Sequence, residues 1–249
     1  MERIDTSAPN QLEVTLAGDE TIWFHPKYLQ SRRFGRRFLP PWMTGAPIGR
    51  ILHGSYWLAR LSGGRTNETS DPVKFAGPSV TGRFRTLELG ANERYFVNLR
   101  NFVGILLPQG RDSSKPMATH LGGLASLHCW LIGHPLPVIF TGPATVILYG
   151  QNLDFTEESN AEHLIQQVVA FDASKPFNVL PTETDGALWS DFTNGLTLES
   201  RLSVEHGRLL VEQAIPEGNS PFRLPGKILV HLGLAAAIAL VIFLLSVRS

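Results

Sequence analysis

His128 and Cys129 are adjacent, and His134 follows a few residues later. A cysteine beside a histidine is the pairing a thiol nucleophile and its base require. The run Ser126–Ile132 reads as a strand, however, and neighbours on a strand point to opposite faces. The two side chains are therefore expected not to meet. The eight histidines show no metal-ligand spacing, and one cysteine makes neither an internal disulfide nor a cluster site. Asp154, Glu157, Glu158 and Glu162 read as a solvated acidic loop. The glycine-rich phosphate loop, the dinucleotide fingerprint and the Gly-x-Ser-x-Gly nucleophile turn do not occur. No catalytic residue, metal or cofactor is expected, and the chain is read as a non-enzyme.

The conspicuous surface motif is different in kind. Arg32, Arg33, Arg36 and Arg37 interleave with Phe34 and Phe38, and Pro40-Pro41-Trp42-Met43 follows almost at once. Arginine offers a planar fork for phosphate or carboxylate, and the aromatic rings supply apolar area. Anionic headgroups, an acidic face of a partner protein and stacked RNA bases all fit that chemistry. Lys plus Arg and Asp plus Glu are both 22, so net charge is zero, which argues against nucleic acid. The balance is uneven along the chain: +6 over residues 1–111 and −7 over residues 112–227. Such a split suits a protein held between a membrane or basic partner and something else.

The elements that must position this motif read as β. Apolar residues make up 43% and charged residues 18%, which excludes a disordered chain. Short alternating runs recur between turn signals such as Ala17-Gly18-Asp19-Glu20 and Thr141-Gly142-Pro143. Strands are expected at Leu12–Leu16, Thr21–Phe24, Ile51–Leu61, Val80–Leu89, Arg94–Leu99 and Val103–Leu107. More are expected at Ser126–Ile132, Val138–Thr141, Ala144–Tyr149, Leu164–Phe171, Thr197–Leu202 and Arg208–Val211. Leu16–Phe24 aligns without a gap on Leu89–Val97, and Glu162–Phe171 gives a weaker third copy. Glu20, Glu93 and Glu162 are expected to begin equivalent strands. The fold class is an all-β sandwich or barrel of three pseudo-repeated hairpin-rich units, plus one C-terminal transmembrane helix.

That helix is read at 228–247, where 20 residues contain no Asp, Glu, Lys or Arg. At 1.5 Å per residue it would span about 30 Å, the thickness of a bilayer core. Gly233 and Ala237, with Ala236 beside them, have the small-residue spacing of a helix-packing face. His231 sits one turn inside, as an interfacial residue or a tetrapyrrole ligand. The expected organisation is an extension (1–11), the β domain (12–215), a linker (216–227), the helix and a two-residue tail (248–249). The N-terminus has no apolar stretch of the kind a secretory signal needs. A single-pass protein of the inner or cytoplasmic membrane is expected, its β domain on the cytoplasmic side.

Three motifs carry a resemblance. They are Leu12-x-Val14-x-Leu16-x-x-x-Glu20, Thr81-Gly82-x-x-x-x-Leu87-x-Leu89 and the run Gly142-Pro143-Ala144-Thr145-Val146-Ile147-Leu148. Over about residues 10–215 the chain resembles the altered-inheritance-of-mitochondria family, number twenty-four. It departs from that family where Ala144 replaces the second glycine of a Gly-Pro-Gly run. The resemblance implies a compact all-β domain associated with energy-transducing membranes, with no catalytic residues to carry over. The expected function is a non-catalytic, membrane-anchored accessory or scaffolding subunit of an energy-transducing complex, a photosynthetic reaction centre with its antenna or else a respiratory complex. The alternative is a free tail-anchored binding protein that recruits a soluble partner or organises lipids. The expected partners are integral membrane subunits and the lipid bilayer.

Overall fold

Runs of four to eight residues, half of them apolar in alternation, bury one face and pair at their edges. In this chain they do so repeatedly. The computed structural model describes residues 4–5, 8, 10–18, 20–30, 37–47, 50, 57–63, 72–108, 116–119, 138–156, 162–164, 167–181, 200–205 and 207–213. All belong to one compact unit, Met1–Thr182 with Glu199–Ile215. The first nine strands are β1 (Ile4–Asp5), β2 (Gln11–Val14), β3 (Thr21–Phe24), β4 (Arg37–Leu39), β5 (Leu58–Ser62), β6 (Val73–Ala76), β7 (Gly82–Leu89), β8 (Arg94–Val97) and β9 (Phe102–Leu107). They continue as β10 (Met117–Thr119), β11 (Val138–Thr141), β12 (Ala144–Gln151), β13 (Leu153–Thr156), β14 (Glu162–Leu164), β15 (Val168–Asp172), β16 (Phe177–Pro181), β17 (Ser200–Val204) and β18 (Leu209–Glu212). A short α-helical turn, α1 (Pro41–Thr44), follows β4.

The strands form four antiparallel sheets. Sheet A has the order β1-β2-β6, sheet B β4-β5-β3-β9-β12-β7, sheet C β10-β11-β8-β15-β18-β13 and sheet D β14-β17-β16. Three buried clusters join them in series. Leu12, Val14 and Phe75 of A pack on Ile22, Phe24 and Val103 of B. Trp23, Ile105 and Leu148 on the other face of B pack on Tyr95, Phe140 and Leu210 of C. Val168, Leu209 and Val211 of C pack on Leu202 and Val204 of D. Sheet B is thus covered on both faces, which is why β9 is buried at every residue and reads FVGILL.

Tyr149 on β12 locks sheet B to the β6–β7 connection. Its hydroxyl donates to the Ser79 carbonyl at 2.5 Å and accepts the Ser79 N–H at 3.0 Å. Its ring lies where a Cβ on Gly77 or Gly82 would be, so both positions require glycine.

Two expectations need correction. The first is the repeat. Ahead of β3 the Glu20 carboxylate accepts the Ala17 N–H at 2.9 Å, and ahead of β8 Glu93 does the same to Gly90 at 2.7 Å. These two turns are equivalent. Glu162 is not: it opens β14 in sheet D and accepts from Arg201 at 3.1 Å. The third turn closes at Gln167, whose N–H reaches the Leu164 carbonyl at 2.8 Å, as Glu20 reaches Ala17 and Glu93 reaches Gly90. The conserved geometry is the backbone turn, which tolerates glutamine, so matching on glutamate picked a residue five places early.

The second is the fold class. The described chain is all-β, and no helix among the described residues is long and apolar enough to cross a membrane. The expected transmembrane helix therefore has no support. Residues 228–247, with His231, Gly233, Ala236 and Ala237, lie outside the described residues.

A buried carboxylate fastens the end of β18 to sheet B. Glu212, 3% exposed, accepts from Arg100 Nη2 at 3.0 Å, Asn101 Nδ2 at 3.3 Å and the Gln151 N–H at 2.6 Å. Asn101 Nδ2 also donates to the Tyr149 carbonyl at 3.1 Å. Replacing Glu212 with alanine leaves three donors without their acceptor. The expected cost is about 2–4 kcal/mol, or roughly 5–15 °C in melting temperature for a domain of this size. Glu212→Gln should recover little, because its amide sets a donor against either the Arg100–Asn101 pair or the Gln151 N–H. A thermal melt of the two variants beside the parent checks both statements.

Candidate interaction surface

Sheet A has three strands and sheet B has six, so A leaves part of B uncovered. The open part is the outermost strand, β4, since Ala59 and Leu61 of β5 are buried against sheet A. There the register sets Leu39 opposite Leu58 and Phe38 opposite Ala59. Leu39 and Leu58 turn into the core between B and C. Phe38 shares the face of Ala59, the side that sheet A covers elsewhere, and remains 51% exposed. Trp57, two residues before Ala59, is 52% exposed.

Between β4 and β5 the chain makes α1. Pro41 stands at the first helical position, where its fixed φ and missing N–H carry no penalty. Gly45 ends the turn at φ 92°, a conformation that favours glycine. Gly45 then bridges to Met117 of sheet C, pinning the segment across the open end of the core. Thr44 Oγ1 donates to the Pro41 carbonyl at 3.3 Å and accepts from the fully buried Arg50 guanidinium. Pro41 and Thr44 are buried, and the two residues between them, Trp42 and Met43, project outward at 62% and 53% exposure. The Trp42 and Trp57 rings meet edge to face at 6.4 Å. The result is an apolar cluster of Phe38, Trp42, Met43 and Trp57 on a stiff base.

The Arg50 cation lies beneath it. Burial holds the Arg50 guanidinium down to about 10, still charged at neutral pH. Burial also holds the His25 imidazole down to about 4, with repulsion from Lys27 and Arg50 adding to the effect. His25 is therefore neutral, its ring set edge-on to Phe102 at 5.9 Å. Between Thr21 and Asn67 the sequence has eight Lys or Arg and no Asp or Glu.

Of the residues expected to make contacts, Phe38 and Trp42 are brought into this cluster. Arg37 lies on β4 in register with Arg60. Arg32, Arg33, Phe34 and Arg36 lie outside the described residues, as do His128, Cys129, His134, Glu157 and Glu158. Asp154 sits on β13 opposite Val211, and no group of three His, Cys, Asp or Glu able to hold a metal occurs among the described residues. Met43 was named only as part of the run after the arginines, and Trp57 went unnoticed in the sequence. The acid-free run around them was the available signal.

No family model matches the chain, and no curated protein does. Among solved structures it is similar to Protein SPYM3_0169 from Streptococcus pyogenes, with a TM-score of 0.53 and 14% identity, over 85% of this chain and 92% of that one. At that identity the likeness shows a shared all-β fold.

The His25 environment has a pH signature. Its ordinary value is 6.5 and its folded value about 4. Between those limits the unfolded chain takes up a proton that the folded chain refuses, so stability falls as pH drops, by about 3 kcal/mol at pH 4. His25→Phe keeps the ring contact and removes the proton. Denaturant titrations at about pH 7 and pH 4.5 should show a smaller loss for the variant than for the parent. Equal losses would mean that this imidazole is not the buried titrating group.

Proposed function

We propose that the chain is a non-catalytic accessory module that attaches to a membrane assembly through Phe38, Trp42, Met43 and Trp57. The observation that carries this reading is the exposure of these four side chains, each above half, on a fold whose other large apolar residues are mostly enclosed. Contiguous exposed apolar patches mark interaction sites. Tryptophan, methionine and arginine are the residue types enriched where proteins meet partners. The resemblance to the altered-inheritance-of-mitochondria family points the same way, and an energy-transducing host stays within the proposal.

The double variant Trp42→Ser/Trp57→Ser tests it. Both rings are exposed and outside the core clusters, so folding should be unchanged and the thermal melt should match the parent. After mild detergent extraction from its native cells, the parent should migrate on a native gel with a large assembly and the variant at its own size. Co-migration of the variant at the parental ratio counts against the proposal.

A further inference from the structure

We infer that the occupant of this surface is an anionic lipid layer, with the Trp42 and Trp57 rings seated among the headgroups. The inference rests on the reading of the cluster as the contact surface.

Shape is the first argument. Trp42 and Met43 stand out from a single helical turn, and Phe38 and Trp57 stand out from the edge of a sheet. A protein partner would have to present a matching pit for each projection. A lipid interface closes around separate projections with no matching required. Tryptophan suits that boundary because one end of its ring system is apolar and the other carries an N–H.

Charge is the second. The acid-free run from Thr21 to Asn67 carries +8, and the rest of the chain, by difference from a net charge of zero, carries −8. All four exposed side chains belong to this acid-free basic run, which an anionic surface attracts. Within that run His25 adds no charge at neutral pH, and there is no carboxylate to oppose headgroup phosphate.

The stiffness of the base is the third. Thr44 and Arg50 brace α1 from beneath, and Gly45 ties it to sheet C. Trp42 is therefore presented with little ordering left to do on binding.

The test uses the purified full chain and two kinds of vesicle, pure phosphatidylcholine and phosphatidylcholine with about 30% phosphatidylglycerol. Sedimentation should show binding to the anionic vesicles about tenfold stronger than to the neutral ones, falling as salt rises from about 0.05 M to about 0.5 M. Brominated lipid should quench tryptophan fluorescence in the parent and less in Trp42→Ser/Trp57→Ser, whose vesicle binding should drop about tenfold. Val80→Ser, at a position 84% exposed and outside the cluster, should bind as the parent does. Equal binding to both vesicle types, or an unaffected double variant, overturns the lipid inference. If the chain ignores vesicles while the double variant still leaves its native assembly, the occupant is a protein and the contact reading survives. If the double variant changes neither, both fall.

Discussion

The Glu212 carboxylate has almost no contact with water, and it accepts three hydrogen bonds from two distant segments of the chain, Arg100-Asn101 and Gln151. A buried charge left unmatched is costly, so the backbone of β12, the start of β9 and the end of β18 are held to positions that match it. Because β18 belongs to sheet C while β9 and β12 belong to sheet B, this one group fixes how the two large sheets meet at that end. The core between them then needs only shape and apolarity. Arg100 reaches the site from a partly exposed position, with a third of its side chain in solvent, and keeps the charge balanced.

Stacking four sheets in series makes the middle ones expensive in apolar residues and the outer ones narrow. Sheets A and D have three strands each, against six in B and C. The uncovered end of B is where the chain leaves the sheet, forms α1 and returns. The exposed aromatic cluster is thus a by-product of the layering. An outer sheet of full width would have enclosed Phe38 and Trp57.

Much of this was legible in the residues. The strands at Gly82–Leu89 and Phe102–Leu107 could be read from the sequence, but the buried face of the first changes at Thr86, where Phe84 packs in one cluster and Leu87 and Leu89 in another. The short edge strands β4, β10 and β16 were missed, since three to five residues carry too little alternation to be seen. Leu164–Phe171 read as one strand, but the backbone turn closing at Gln167 divides it between sheets D and C. Phe38 and Trp42 stood out by type. Trp57 did not, because its exposure depends on where a distant sheet stops. Arg100 and Glu212 are 112 positions apart, and no local pattern could have paired them.

The layering also sets an order of events as the chain is made. Sheet B pairs Phe24 with Gly104 and Leu89 with Ala144, so it stays incomplete until about residue 151 has emerged. Sheet C waits longer, for β18 at Leu209–Glu212. Pairings of such sequence separation form slowly and leave apolar faces open meanwhile. The last strand to arrive is the one that carries the Glu212 carboxylate. A chain cut short before it leaves the Gln151 N–H and the Arg100 and Asn101 side chains without the Glu212 carboxylate, together with the unfilled side of β15. Such a chain has most of its core residues and none of the closing contact, which makes it a ready substrate for chaperones and proteases rather than a smaller version of the same fold.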